Sequence, residues 1–331
     1  MLKAAVIGIG SMGANHARVY AGMDNVKLVA AADLDKKQCE TLSEKHRINT
    51  YSDYHELLEK EKPDLLSIGV PTASHAAVAL DCLQAGANIL IEKPIASSLE
   101  EAQKIISAAK TAKLKLMIGH IVRFNPAVRE LKKHLDNKEL GRIFQIVCHR
   151  EGPFPARIRD VGVVVDLAPH DIDIMRYLSQ SEPMRAYAET EQRINTEHED
   201  LLLAVLRFKN NITASLNINW LTPTKIREIN VLGEKGMFRI DDLTQDLYFY
   251  ENSLAANSIW DSLKTIRGVN PGKMVRFAFD RKEPLKVELS AFVEAVKNNS
   301  IVPVTGEDGY EALRIALALV QSGLTHQVIG L

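Results

Sequence analysis

For the first 120 residues, short apolar runs alternate with amphipathic stretches of helical period. Residues 3–8 form an apolar run ending in Gly8-Ile9-Gly10-Ser11-Met12-Gly13; a helical pattern continues through Met23, and a second apolar run over 26–32 closes on Asp33. The pattern then predicts helices over 36–46 and 54–60, a strand over 65–70, a helix over 74–85 stopped by Gly86, and a strand over 88–91. Ser98 and Glu101 form a capping box for a helix ending near Lys113, and 115–119 is the last strand of this part. Strand and helix in alternation mean a parallel sheet with helices on both faces.

Beyond residue 120 the period changes from helical to strand-like. Asn125 and Pro126 read as an N-cap and first-position proline for a helix to about 137. Strands are expected over 142–150, 184–194, 201–208, 212–220, 226–233, 236–241 and 247–251, with short polar turns between most of them. Residues 252–283 read as irregular, and helices close the chain over 285–298 and 307–322. The fold class is therefore α/β: a Rossmann dinucleotide-binding domain over 1–120, then an α+β domain over 121–331 with an open, largely antiparallel sheet. One helix near 166–178 covers that sheet.

That helix carries the first candidate chemistry. If it starts with Asp166 as N-cap, Pro169 falls in the first turn, where backbone N–H groups lack helical partners anyway. Asp166 and His170 then share one face, while Leu167, Ile174 and Leu178 point to a core. Two readings stand at this stage: a carboxylate and imidazole paired for proton transfer, or a plain cap followed by an ordinary first-turn residue.

The glycine motif is more specific, because it sits between a strand and a helix and is followed by an acid about 20 residues on. Gly8 permits the tight turn, Gly10 lets a pyrophosphate approach the backbone, and Gly13 lets the helix pack on the strand. The amides of Ser11 and Met12 face the phosphates. Asp33 can accept hydrogen bonds from ribose hydroxyls and would repel a 2'-phosphate; Leu34 offers no compensating cation, which favours NAD over NADP. Ligands bind beyond the carboxyl ends of such strands. Val70-Pro71-Thr72-Ala73-Ser74-His75 and Glu92-Lys93-Pro94 lie there. Lys93 could hydrogen-bond a substrate hydroxyl or be a surface lysine; His75 could contact cofactor or cap its helix.

Composition narrows the classes. The chain has 331 residues, 46% hydrophobic and 25% charged, with a formal net charge of -1. That balance suits a two-domain globular protein and gives no reason to expect nucleic-acid or membrane-surface binding. Cys39, Cys82 and Cys148 match neither a disulfide framework nor a metal pattern and read as buried free thiols. No stretch reads as a signal peptide or membrane span, so a cytoplasmic protein without a metal is expected.

Three motifs in this order, Gly8-Ile9-Gly10-Ser11-Met12-Gly13, Glu92-Lys93-Pro94 and Asp166 with His170, resemble the Gfo/Idh/MocA family of oxidoreductases, over nearly the whole chain and including Pro303-Val304-Thr305-Gly306-Glu307-Asp308-Gly309. The resemblance implies a catalytic role for Lys93, Asp166 and His170, and cofactor contacts from Val70, Thr72, His75, Glu92, Lys93 and Arg123. It departs from the family at Thr72, where asparagine is frequent, and at Pro169, where a small residue is usual. Gly119 to Pro126 and Gly152 to Gly162 look like the nucleotide-sugar branch, the UDP-N-acetylglucosamine 3-dehydrogenases, in which Asn125, Arg157, Arg159 and Asp166 would meet the substrate. Arginines suit a diphosphate; a solvated basic loop is the other reading of Arg157 and Arg159. The implied reaction is oxidation of a secondary sugar hydroxyl by NAD, in a homodimer or homotetramer. A dehydrogenase of a free polyol such as inositol is the alternative, and a non-catalytic dinucleotide-binding regulator a third.

Overall fold

The structure, a computed structural model, describes residues 1–155, 161–194, 197–252 and 271–331. The chain divides into two compact units, one of residues 1–124 with 283–314, the other of 125–282 with 315–331. The linear pattern predicts a single boundary near residue 120; here the chain returns to its first unit late.

The first unit is built on strands β1 (Leu2–Ile7), β2 (Val26–Ala32), β3 (Asn49–Tyr51), β4 (Leu65–Ile68), β5 (Asn88–Glu92) and β6 (Leu116–Gly119). All pair in parallel in the order β3-β2-β1-β4-β5-β6. This is the doubly wound order whose switch point lies at β1 and β4. Helices α1 (Ser11–Ala21), α2 (Lys36–His46), α3 (Tyr54–Glu61), α4 (His75–Gln84) and α5 (Leu99–Ala112) connect the strands. Strands β4, β5 and β6 bury nearly every side chain, as a sheet covered on both faces requires. Half of the expected capping box is present: Ser98 accepts from the Glu101 amide at 3.2 Å, while the Glu101 carboxylate accepts from the Ser97 amide, one residue before the cap, at 3.1 Å. Helix α6 (Pro126–Asp136) opens the second unit.

The second unit is a nine-stranded sheet. Its strands are β7 (Ile143–Pro153), β8 (Pro183–Glu191), β9 (Leu201–Phe208), β10 (Thr213–Asn219), β11 (Leu221–Gly233), β12 (Gly236–Asp241), β13 (Asp246–Asn252), β14 (Pro271–Arg276) and β15 (Ile329–Gly330). They run in the order β14-β13-β12-β11-β7-β10-β9-β8-β15, antiparallel except for β7 beside β10. Strand β14 lies in a stretch whose composition reads as irregular; it forms by pairing with β13, a tertiary cause that local pattern does not contain. Along β9 the faces alternate: Leu202, Ala204, Leu206 and Phe208 are buried, while Leu203 and Val205 are about half exposed. Helix α7 (Val163–Ser179) packs on β7, β9 and β10 on the buried side. Helices α8 (Pro284–Lys297) and α9 (Gly306–Thr325) end the chain.

Helix α7 starts three residues before the predicted cap. Val163 and Val164 are fully buried, so apolar burial extends the helix to Gly162, and Pro169 lies inside it rather than in its first turn. The cap comes from Glu199: its Oε1 accepts from the Val164 amide at 3.1 Å and its carbonyl from the Val163 amide at 2.9 Å. A Cβ at Gly162 would sit 2.0 Å from that carboxylate, so a larger residue there would displace the cap. Replacing Glu199 with Ala should therefore lower the stability of the second unit by about 1 kcal/mol, the usual worth of a helix cap. A fall in the melting temperature checks this; an unchanged value would mean that Glu199 does not hold the helix end.

Candidate active site

In the first unit the glycine turn has the form the motif demands. Gly8 has φ +85°, and a Cβ there would lie 2.6 Å from the Gly69 carbonyl carbon. A Cβ at Gly13 would lie 1.8 Å from the Gly8 carbonyl oxygen, so α1 can close on the strand only through glycine. At Gly10, the residue flanking the start of α1, a Cβ would meet nothing within 4 Å. Two glycines are thus required by the protein itself, and the third leaves space beside helical amides that suits a pyrophosphate. Asp33 closes the turn from β2: its Oδ2 accepts from the Ile9 amide at 2.5 Å and its Oδ1 from the Asp35 amide at 2.8 Å. Each carboxylate oxygen keeps a second lone pair for a ribose hydroxyl. These residues fit NAD. Ser11 and Met12 open α1, and Leu34 is 89% exposed beyond Asp33.

Val70 and Thr72 follow β4, with Thr72 in a short 3₁₀ turn leading into α4. His75 is buried, its Nδ1 2.8 Å from the Pro94 carbonyl oxygen and its Nε2 2.9 Å from that of Val70. It ties the loop after β4 to the loop after β5, and burial pushes its imidazole below the ordinary histidine value despite these carbonyls. Lys93 is partly exposed at the end of β5, and the Lys93–Pro94 peptide is cis.

Glu92 belongs to a buried polar chain that the motif reading does not contain. Tyr20 Oη is 2.9 Å from Ser67 Oγ, Ser67 Oγ is 2.9 Å from His16 Nδ1, and His16 Nε2 is 3.0 Å from Glu92 Oε1. One direction of donation, tyrosine to serine to imidazole to carboxylate, satisfies the whole chain. Burial pushes the Glu92 carboxyl up, but the bond from His16 and the neighbouring charge of Lys93 outweigh it and hold it below the usual carboxylate range. Gly119 makes the room: a Cβ there would stand 3.1 Å from the Glu92 carboxylate. The available sequence signal is a histidine on the buried face of α1, beside Ala17 and Tyr20. Arg123 pairs with Asp308 at 3.0 Å and donates to the Pro303 carbonyl at 3.2 Å, holding the returning segment within this unit.

In the second unit, Asp166 and His170 lie one turn apart on α7, and both are partly exposed. Next to His170, Asp171 is buried and receives a two-pronged bond from Arg150 of β7, at 2.7 Å and 2.8 Å. Asn125 is 3% exposed; it caps α6 through the Ala127 amide at 2.9 Å and donates to the Asp242 carbonyl at 3.1 Å. These contacts occupy its polar atoms and give no support to a substrate role. Arg157 and Arg159 lie outside the described residues. Cys39, Cys82 and Cys148 are buried free thiols. Among the described residues no cluster of three or more His, Cys, Asp or Glu could hold a metal ion.

The family "Oxidoreductase family, NAD-binding Rossmann fold" matches residues 2–120, and the Gfo/Idh/MocA C-terminal domain matches 128–239. The chain belongs to the Gfo/Idh/MocA oxidoreductases. It is an NAD-binding enzyme of the CH–OH dehydrogenase type. It is 27% identical to the UDP-N-acetylglucosamine 3-dehydrogenase of Acidithiobacillus ferrooxidans, over 96% of this chain and 95% of that one. A solved structure of that enzyme superposes with a TM-score of 0.85 at 26% identity, covering 97% of each chain. The myo-inositol 2-dehydrogenase of Thermotoga maritima is 25% identical over 97% of this chain and 96% of that one. A solved myo-inositol 2-dehydrogenase from Lactobacillus plantarum superposes with a TM-score of 0.82 at 25% identity, covering 100% and 99% of the two chains.

The two kinds of glycine can be separated experimentally. Gly10→Ala should leave the melting temperature unchanged and weaken NAD binding by about tenfold, roughly 1.4 kcal/mol, while Gly13→Ala should destabilise the fold itself. Equal effects in both assays would contradict the division. For Glu92, whose carboxyl is depressed by folding, the stability it contributes is present above its unfolded value and lost as pH falls through the folded one. The melting-temperature gap between wild type and Glu92→Gln should hold from pH 8 to about 5 and shrink below about 4, the unfolded carboxyl range; a gap independent of acid would exclude it.

Proposed function

We propose that this protein oxidises a secondary hydroxyl of a sugar, the 3-hydroxyl of UDP-N-acetylglucosamine, with NAD. The observation that carries the reading is the Asp166 and His170 pair, one turn apart on α7 and partly exposed, in a chain that also holds Lys93 at the end of a dinucleotide-domain strand. NAD, when bound, supplies the hydride acceptor. His170 takes the hydroxyl proton as the C–H bond breaks, a role worth about 10²- to 10⁴-fold. Lys93 donates to the same oxygen and offsets the negative charge that develops there. Asp166 orients the imidazole or a neighbouring sugar hydroxyl. The similarity to a UDP-N-acetylglucosamine 3-dehydrogenase along almost the full length supports the nucleotide sugar.

The myo-inositol 2-dehydrogenase relative, matched at nearly the same identity and coverage, favours a free polyol as the second reading. A cytoplasmic place of action accords with three unpaired, buried thiols. The outward face of the large sheet, with Leu203, Val205 and Leu232 exposed, supports a homo-oligomer formed through that face.

His170→Ala and Lys93→Met should each lower kcat by about 10²-fold or more while NAD affinity stays within about twofold of wild type, a difference under 0.5 kcal/mol. Unchanged turnover in either variant removes that residue from the mechanism. With NAD present, UDP-N-acetylglucosamine should raise the melting temperature and inositol should not; the reverse pattern would establish the polyol reading.

A further inference from the structure

We propose that Arg227, on β11, anchors an anionic group of the substrate, the diphosphate of a nucleotide sugar, beside the Asp166 and His170 face of α7. This deepens the nucleotide-sugar reading and rests on it.

Arg227 stands directly across from Arg150 in the register of β11 and β7, on the face of the sheet that α7 covers. Two like charges directly opposite on one face destabilise a sheet. Arg150 has an evident compensation, because its Nε and Nη2 form a two-pronged bond with Asp171. Arg176 uses the same two nitrogens on Glu182, both at 2.7 Å. Arg227 differs from both. Its Nη1 donates to the carbonyls of Glu151 and Ile226, which fixes the plane of the guanidinium. Its Nε and Nη2, the edge with which the other two arginines grip carboxylates, have no hydrogen-bond partner among the described residues. That edge is the one whose spacing matches two oxygens of a carboxylate or phosphate.

The surroundings suit an incoming anion. Arg227 is partly exposed, and the adjoining residue on β7 is Gly152; a Cβ there would stand 3.9 Å from Nη2 and 3.5 Å from the Lys225 side chain. A side chain there would lie in van der Waals contact with the Arg227 edge, which glycine leaves uncovered. The charged groups that act most strongly on Arg227 are Arg150, Asp171, Asp242 and Asp166. Asp171 is already committed to Arg150, and Asp242 is bonded to Asn125. Asp166 is on α7 one turn from His170, so an oxyanion on the open edge of Arg227 would bring the rest of its molecule toward that face. Burial and the charge of Arg150 bring the Arg227 guanidinium below its ordinary value, against the opposing pull of Asp171, Asp242 and Asp166.

The test is calorimetric titration of UDP and of uridine into NAD-saturated wild type, Arg227→Gln and Arg227→Lys. UDP should bind wild type and uridine only weakly. Arg227→Gln should weaken UDP by about tenfold or more, the worth of a charged hydrogen bond, with uridine binding, NAD affinity and melting temperature unchanged. Arg227→Lys keeps the charge but not the planar edge and should recover only part of the affinity; it also serves if the glutamine variant does not fold. Equal UDP affinity in all three proteins overturns the anchor and leaves the nucleotide-sugar reading standing. Loss of UDP binding only in step with melting temperature and NAD affinity assigns Arg227 to structure and also overturns it. A wild type that binds no UDP overturns both.

Discussion

The second unit depends on one buried ion pair, Arg150 with Asp171. Both side chains are under 10% exposed, and the carboxylate receives two guanidinium hydrogens in the geometry that best repays desolvation. Such a pair adds little net stability over a well-packed apolar pair of the same size, but deleting one partner strands a charge at a cost of about 3–5 kcal/mol. What it supplies is orientation. Asp171 shares its stripe of α7 with Ile174, Met175 and Leu178, all buried, so the salt bridge and the apolar stripe fix the helix rotation together. His170 and Asp166 lie about 100° round from that stripe, the rotation per residue of a helix, and are therefore kept partly exposed on one flank.

The first unit meets an equivalent need through its backbone. Gly13 lets α1 close against Gly8, and Asp33 binds the turn from the neighbouring strand. The same helix then reaches the strands on the other side of β1 through His16, which bonds Ser67 of β4 and Glu92 at the end of β5. The residue before Lys93 is thus held by the helix that begins at the proposed phosphate site. His75 adds a second tie, between the loops that follow β4 and β5. Cofactor turn and lysine loop are parts of one hydrogen-bonded frame within this unit.

Much of this was legible in sequence because it rests on local pattern. Apolar runs separated by helical stretches announce a parallel covered sheet, and a glycine turn between strand and helix, followed by an acid, points to a dinucleotide with high specificity. The period-two alternation of 201–208 likewise announces a half-covered sheet. What could not be read depends on partners distant in sequence. The start of α7 is set by Glu199, 35 residues beyond Val164, and by burial of Val163 and Val164. Strand β14 exists because β13 is beside it, and residues 283–314 return to the first unit for reasons no local window contains. Asn125 and His75 look like site residues in a motif, yet their polar atoms meet backbone and neighbouring side chains. The opposite holds for Arg227, which no motif marks and whose open edge emerges only from the register of two strands.

In the proposed reaction a sugar C–H bond, polarised by loss of the hydroxyl proton to His170, delivers its hydride to NAD. This step is tested most directly with UDP-N-acetylglucosamine carrying deuterium at C3, incubated with the enzyme and NAD. The expected product is NADH that carries the deuterium, formed more slowly than with the unlabelled sugar; unlabelled NADH, or no NADH from this substrate, would exclude this hydride transfer.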